Sequence, residues 1–294
     1  MLIPFTQPMD LESTLESGQA FRWRRGQSDS PDHPWFWGVV FDNLVKLRRT
    51  EDGVEFFSAP DGEVRLSPLL QDYLRLRDDL SSIYHSIDTD ERVRAGIDDY
   101  TGMRILRQDP WECLISFMCS SASNIPRISK NVEDMGRNFG RPLSLEGQSR
   151  HTFPTARELA VAGEARLRQL GLGFRAAYVE KVAEIAAEGR IDLFTLREAS
   201  YDDALAELTA LPGVGDKVAN CVMLFSLDKL EAFPIDVWIK RALEEWYLSE
   251  RPGGAKLVAR ELRPWAQQHF GPYAGYANQY LFHKRRLQGK GARA

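Results

Sequence analysis

Hydrophobic and polar positions change rhythm part-way along the chain. Before about position 100 the apolar residues come in short runs. Trp35-Phe36-Trp37-Gly38-Val39-Val40-Phe41 is aromatic and β-branched, and Asp42-Asn43 reads as a turn pair. Leu44, Val45 and Leu47 continue as a second strand, Glu51-Asp52-Gly53 turns again, and Val54 to Phe57 begin a third. The spacing predicts a meander of short antiparallel strands. Helical periodicity follows from Leu69 to Ile87.

After Gly102 the period becomes that of helices separated by Gly and Pro breaks. One helix is predicted from Trp111 to Met118. Another starts near Asn124, which suits an N-cap with Pro126 in the first turn, and stops at Phe139-Gly140. Further helical segments fall at 155–162, 164–169, 175–188, 202–210, 216–226, 237–247, 254–269 and 274–285. The predicted fold class is α+β. An N-terminal antiparallel-sheet domain occupies residues 1–100, and a mostly α-helical domain occupies 101–294.

Composition narrows the function classes. A chain of 294 residues with 43% hydrophobic and 27% charged residues suggests two domains, or one large one with an added lobe, and is long enough to bury a core without staples. With 22 Gly and 15 Pro, collagen-like and low-complexity readings fail. Mean hydropathy is -0.37, and no apolar run approaches the ~18 residues of a membrane span. The start, MLIPFTQPMD, has neither a basic run nor a long apolar stretch, so no secretory signal is expected. Cys113, Cys119 and Cys221 cannot all pair and match no zinc or iron–sulfur spacing. Reduced thiols in an intracellular protein, cytoplasmic or nucleoid-associated, are the expectation.

The net charge of -4 hides an asymmetry. Residues 251–294 carry nine Lys or Arg against a single Glu, whereas residues 51–100 carry thirteen Asp or Glu against five Arg. Such segregation can put a basic face on an acidic protein, as phosphate binding requires.

The stretch from Leu205 to Trp246 carries the most chemistry. Leu205, Leu208 and Leu211 give one helix an apolar face, and Pro212-Gly213-Val214-Gly215 ends it in a tight hairpin. Asp216 sits where an N-cap belongs, and the next helix runs through Lys217, Val218, Cys221 and Leu224. A Gly-rich turn entering a helix aims backbone N–H groups outward at the positive end of the dipole, forming a phosphate cradle. Asp236 is predicted to cap the following helix, and a hairpin can bring Lys217 and Asp236 to one cleft. The field at a helix N-terminus disfavours an ammonium ion, which lowers the pKa of a lysine as a nucleophilic amine requires.

LPGVGDKVANCVMLFSLDKLEAFPIDVW resembles the helix-hairpin-helix and Gly/Pro/Asp loop of the DNA glycosylase superfamily, and within it the 8-oxoguanine DNA glycosylase/AP lyases. Four further blocks carry the resemblance in order. Residues 17–23 are similar to that family's SGQ.FRW strand, and 104–113 to its RLLRQDP.EC segment. Residues 170–175 are similar to LGLGYR, and 274–282 to AGWAQ..LF.

The resemblance implies a base-excision-repair enzyme that flips 8-oxoguanine out of double-stranded DNA, acting as a monomer. Lys217 falls on the family's nucleophile, which forms a Schiff base and nicks the strand by β-elimination. Asp236 falls on its aspartate, which stabilises positive charge on the sugar or takes the lysine's proton. Gly18 falls on the residue whose carbonyl reads the N7 hydrogen of 8-oxoguanine. Cys221 and Phe282 fall on the two faces that sandwich the base, and Pro234 joins that pocket. Asn278 takes the place of a Gln on the Watson–Crick edge, one methylene shorter.

Arg127 and Arg175 match arginines that read the opposite cytosine, and Phe174 matches an aromatic wedge. An Asn of that set is replaced by Ala122, and a phosphate-contacting His by Trp238. Gly213, Val214 and Gly215 would meet a DNA phosphate. The carbonyls of Thr209, Leu211 and Val214 would hold a monovalent cation, with no other cofactor required.

Two alternatives stand beside this reading. An alkylated-purine glycosylase shares the two-lobe plan but hydrolyses with water and lacks the hairpin lysine. A helix-hairpin-helix DNA-binding module would need phosphate contacts but not Asp236, Gly18 or Phe282 in register.

Overall fold

The computed structural model describes residues 1–27, 32–248 and 259–291. The sheet contains β1 (Leu2–Pro4), β2 (Arg24–Arg25), β3 (Phe36–Val40), β4 (Asn43–Arg49) and β5 (Gly53–Ala59), in the order β1-β5-β4-β3-β2 and antiparallel throughout. The predicted meander is its centre, and β1 and β2 add the edges that three apolar runs could not show. The first turn lies one residue earlier than predicted. Phe41 and Asp42 take φ of +44° and +65°, and Asn43 opens β4 opposite Val40. The Asn43 side chain fixes that register by donating to the Phe41 carbonyl at 3.0 Å and accepting from the Asp61 N–H at 2.9 Å.

One sheet face supplies Phe36, Val45, Leu47, Val54 and Phe56 to a core closed by α1 (Leu11–Glu16) and α2 (Glu63–Tyr73). The predicted 69–87 helix is therefore two helices, α2 and α3 (Leu80–Ile87). Tyr73 ends the first, and Arg75 at φ +49° turns the chain. A short α4 (Glu91–Asp99) follows. Leu80, Ile83, Ile87, Val93 and Ile97 pack into the helical core rather than against the sheet.

The helical part contains α5 (Pro110–Met118), α6 (Ile125–Phe139), α7 (Ala156–Gln169), α8 (Arg175–Ala187) and α9 (Tyr201–Thr209). It continues with α10 (Asp216–Ser226), α11 (Val237–Leu243), α12 (Ala259–Phe270) and α13 (Ala274–Gly291). Asn124 caps α6 by accepting the Arg127 N–H at 3.0 Å. Gly163, at φ +73° and ψ 167°, kinks α7 between the two predicted pieces. The wider turn Glu244–Leu248 extends α11. A hairpin of β6 (Pro142–Leu145) and β7 (Gln148–His151) packs Leu143 against the sheet's second face.

From Val218 to Ser226 every residue of α10 is buried, so this helix is the axis of the helical core. The first five positions of the predicted 254–269 helix, and residues 251–258 and 292–294 of the basic run, lie outside the described residues. No described helix is long and apolar enough to cross a membrane.

Candidate active site

The loop after α1, the end of α5, the starts of α10 and α11, and one face of α13 enclose a cavity of about 890 Å³. That volume lies in the range of small-molecule sites. Gly18, Lys217, Cys221, Pro234, Asp236, Asn278 and Phe282 line it together, with Gly215 at its edge. Ala122 and Trp238, the two departures from the family pattern, also line it, whereas Arg127, Phe174, Arg175, Thr209, Leu211, Gly213 and Val214 do not.

Lys217 is the second residue of α10. Gly215, not Asp216, is the N-cap, and it has no side chain with which to cap. Asp216 occupies the first helical position and faces Arg263 instead. The Lys217 ammonium reaches the end of α5, where Nζ donates to Ser120 Oγ at 2.8 Å and lies 5.2 Å from the Phe117 ring centroid. Asp236 is the N-cap of α11 as predicted, and Oδ1 accepts the N–H groups of Trp238 and Ile239 at 2.9 and 2.8 Å. Burial lifts its pKa above the ordinary carboxylate value, against the opposing pull of the Ile239 N–H, the Lys217 charge and the Trp238 N–H. A cation and a carboxylate thus enter one cavity from the starts of consecutive helices.

Cys221 lies one helical turn beyond Lys217, and burial pushes its thiol up to about 11, partly offset by the Lys217 charge. It is a neutral, polarizable wall at pH 7. The 17–23 segment forms bends rather than the predicted strand; regular pairing begins only at Arg24. Gly18 has φ +86°, and a Cβ there would stand 2.9 Å from Ile125 Cδ1 and 3.5 Å from Phe282 Cε1. Its neighbours' carbonyls are occupied: Arg286 Nη2 donates to Glu16 O at 2.7 Å, Gln279 Nε2 to Ser17 O at 3.3 Å, and Gln108 Nε2 to Gln19 O at 2.7 Å. Among the described residues none donates to the Gly18 carbonyl. Asn278 spends its Nδ2 on the Pro234 carbonyl.

Outside the cavity, Arg175 is 3% exposed and donates to the carbonyls of Ser121 (2.7 Å from Nε), Ala122 (2.9 Å from Nη2) and Leu172 (3.0 Å from Nη1). It clamps a loop rather than standing free in solvent. Arg127 is exposed at the start of α6, where Nη2 donates to Gly171 O at 3.2 Å, and Phe174 is exposed beneath the Arg175 guanidinium. In the hairpin, Gly213 takes φ +78° with its Cα against Tyr178, and Val214 N donates to Leu211 O at 3.1 Å. Thr209 ends α9 beside it. Among the described residues no three or more His, Cys, Asp or Glu side chains are placed to hold a metal ion.

Ser120, Phe117 and Arg286 belong to the cavity but were not singled out in sequence. For Ser120 the only signal was a run of small polar residues, Ser120 to Asn124, at the end of an apolar helix.

Residues 2–114 match the family of 8-oxoguanine DNA glycosylase N-terminal domains, and residues 115–268 match the HhH-GPD superfamily of base excision DNA repair proteins. The chain belongs to the HhH-GPD superfamily. It is 33% identical over 288 residues to the N-glycosylase/DNA lyase OGG1 of Arabidopsis thaliana, covering 93% of this chain and 76% of that protein. It is 30% identical to the probable N-glycosylase/DNA lyase of Methanothermobacter thermautotrophicus, covering 95% and 94%. Among superfamily structures, the 8-oxoguanine glycosylase/lyase of Clostridium acetobutylicum bound to duplex DNA with cytosine opposite 8-oxoG matches with a TM-score of 0.88. That structure is 28% identical and covers 98% of both chains. The hairpin and the α10–α11 corner both lie within the residues matched to that superfamily.

Proposed function

We propose that this chain is a base-excision glycosylase/lyase that excises 8-oxoguanine from duplex DNA through a Lys217 Schiff base. The observation that carries this reading is the convergence of Lys217, Asp236 and Gly18 on one cavity. A flipped base enters between Phe282 and Cys221, at Gly18, where 8-oxoguanine offers an N7–H donor and guanine only an acceptor. The neutral Lys217 amine forms a bond to C1′ as the N-glycosidic pair leaves with the base, which takes up a proton. Positive charge on the sugar develops near the Asp236 carboxylate, whose position is fixed by two backbone N–H groups. Ring opening gives the iminium, loss of a C2′ proton breaks the C3′–O bond, and hydrolysis frees Lys217.

DNA is the partner that the hairpin, Arg127 and Phe174 suit. The N–H groups of Gly213 and Gly215 precede α10 and fit a phosphate, the Val214 N–H between them being spent on the Leu211 carbonyl. The carbonyls of Thr209, Leu211 and Val214 are neutral oxygen donors of the kind a monovalent cation takes, and that cation would add positive charge toward a phosphate.

Borohydride trapping tests the mechanism on duplexes carrying one 8-oxoguanine opposite each of the four bases. A covalent adduct is expected with the lesion and not with guanine, and Lys217→Gln is expected to abolish it while binding the duplex. Base release without adduct or nicking would replace the lysine by water as nucleophile. Binding with neither would leave a DNA-binding module.

A further inference from the structure

The amine of Lys217 is held by a hydroxyl that belongs to another element. Ser120 follows the C-cap of α5, and its Oγ donates to the Phe117 carbonyl at 2.5 Å. With its hydrogen committed there, the oxygen presents only lone pairs to Lys217 Nζ at 2.8 Å. The next two carbonyls, of Ser121 and Ala122, are clamped by the buried Arg175 guanidinium. The Ser120 oxygen is therefore fixed on both sides along the chain, and the Phe117 ring bounds the lysine from below.

We propose that Ser120 is a positioning residue for the Lys217 amine, acting as a fixed acceptor that aims the nitrogen into the cavity. The inference rests on the nucleophilic role given to Lys217 above. A lysine stem has four rotatable bonds, so an unanchored amine samples many positions, few within reach of C1′. One N–H spent on Ser120 restricts the nitrogen to a small arc and leaves its lone pair free once the proton is lost.

The other groups facing Nζ are Asp236 from the start of α11 and Cys221 from α10, with Arg286 of α13 on the same cavity. None of them changes in a Ser120 variant. Removing the hydroxyl should therefore lower the rate of adduct formation while leaving those groups in place.

The full chain, Ser120→Ala and Ser120→Thr are compared on an 8-oxoguanine duplex and on a duplex with a preformed abasic site, in single turnover across pH with borohydride trapping. Ser120→Ala is expected to slow adduct formation on the abasic duplex by ~10–100-fold. Its duplex affinity should stay within about threefold, while Ser120→Thr, which keeps the hydroxyl acceptor, recovers most of the rate. A parental rate in Ser120→Ala would overturn the inference. So would an equal fall in both variants, which marks a packing role. If the unsubstituted chain traps on neither duplex, the Lys217 reading itself fails; trapping that Ser120→Ala leaves untouched removes only the role of Ser120.

Discussion

Asn278 donates Nδ2 to the Pro234 carbonyl at 2.9 Å, tying α13 to the segment that ends in Asp236. The shorter side chain thus serves the backbone that carries the carboxylate. Asn278→Asp keeps the shape but removes the donor and sets an oxygen against the carbonyl. A stability loss of ~1–3 kcal/mol in urea titration is expected. Slower excision with near-parental duplex affinity should accompany it. Unchanged stability would show that the bond contributes nothing.

Asp236→Asn separates the cap from the charge. Asn accepts the Trp238 and Ile239 N–H groups as well as Asp does, so α11 should hold, while excision falls by ~10²–10³-fold if the carboxylate stabilises sugar charge. Because burial raises the native pKa, the ionised carboxylate is a cost to the fold above that pKa. The Asn variant should match or exceed the parent's Tm at pH 7, with any gain shrinking as pH falls toward 4. A gain that grows on acidification would contradict the raised pKa.

Gly18→Ala places a Cβ in left-handed backbone and 2.9 Å from Ile125 Cδ1. The conformation alone costs roughly 1–2 kcal/mol, readable as a lower Tm. Base binding should suffer more than covalent chemistry. Excision of 8-oxoguanine should drop sharply while trapping on a preformed abasic site stays near the parental rate. Equal losses on both substrates would point to a general collapse of the cavity.

Arg175→Ala strips three carbonyls of a buried donor. A loss of ~1–3 kcal/mol is expected, together with a weaker preference among the four opposite bases, since Arg127 and Phe174 flank the loop it holds. Arg175→Lys should fail to restore either property, because one ammonium lacks the planar fork that spans separate acceptors. Full rescue by lysine would reduce its role to charge.

Ala122 adopts φ +48°, a conformation that Asn and Gly accept more readily. Ala122→Gly is therefore expected to be neutral to stabilising by about 1 kcal/mol, the gain in the native backbone set against greater freedom in the unfolded chain. Ala122→Asn should raise Tm and sharpen selectivity for the opposite base in excision assays. A lower Tm for both variants would mean that neighbouring contacts rather than backbone strain govern this position.

Local chemistry was legible along the chain. Asp236 as a cap, the α6 start at Asn124 and the break at Gly163 each depend on residues within a turn of one another. Two of the three errors come from contacts farther along the chain. Asp42-Asn43 looked like the turn, but the Asn43 side chain was needed to anchor Asp61. Asp216 looked like a cap, but Gly215 took the extended backbone that precedes α10. Residues 17–23 looked like a strand, yet long-range donors from Gln108, Gln279 and Arg286 hold them as bends.

The sequence by itself determined the α+β plan, the family and the candidate pair Lys217 and Asp236, because period, cap chemistry and motif spacing are written in consecutive residues. Only the tertiary structure decided which side chains share a cavity. Ser120 meets Lys217 across 97 positions, and Gln279 meets Ser17 across 262. Such pairs are invisible to any local pattern, since they form only when separate helices pack and the buried polar atoms between them must find partners.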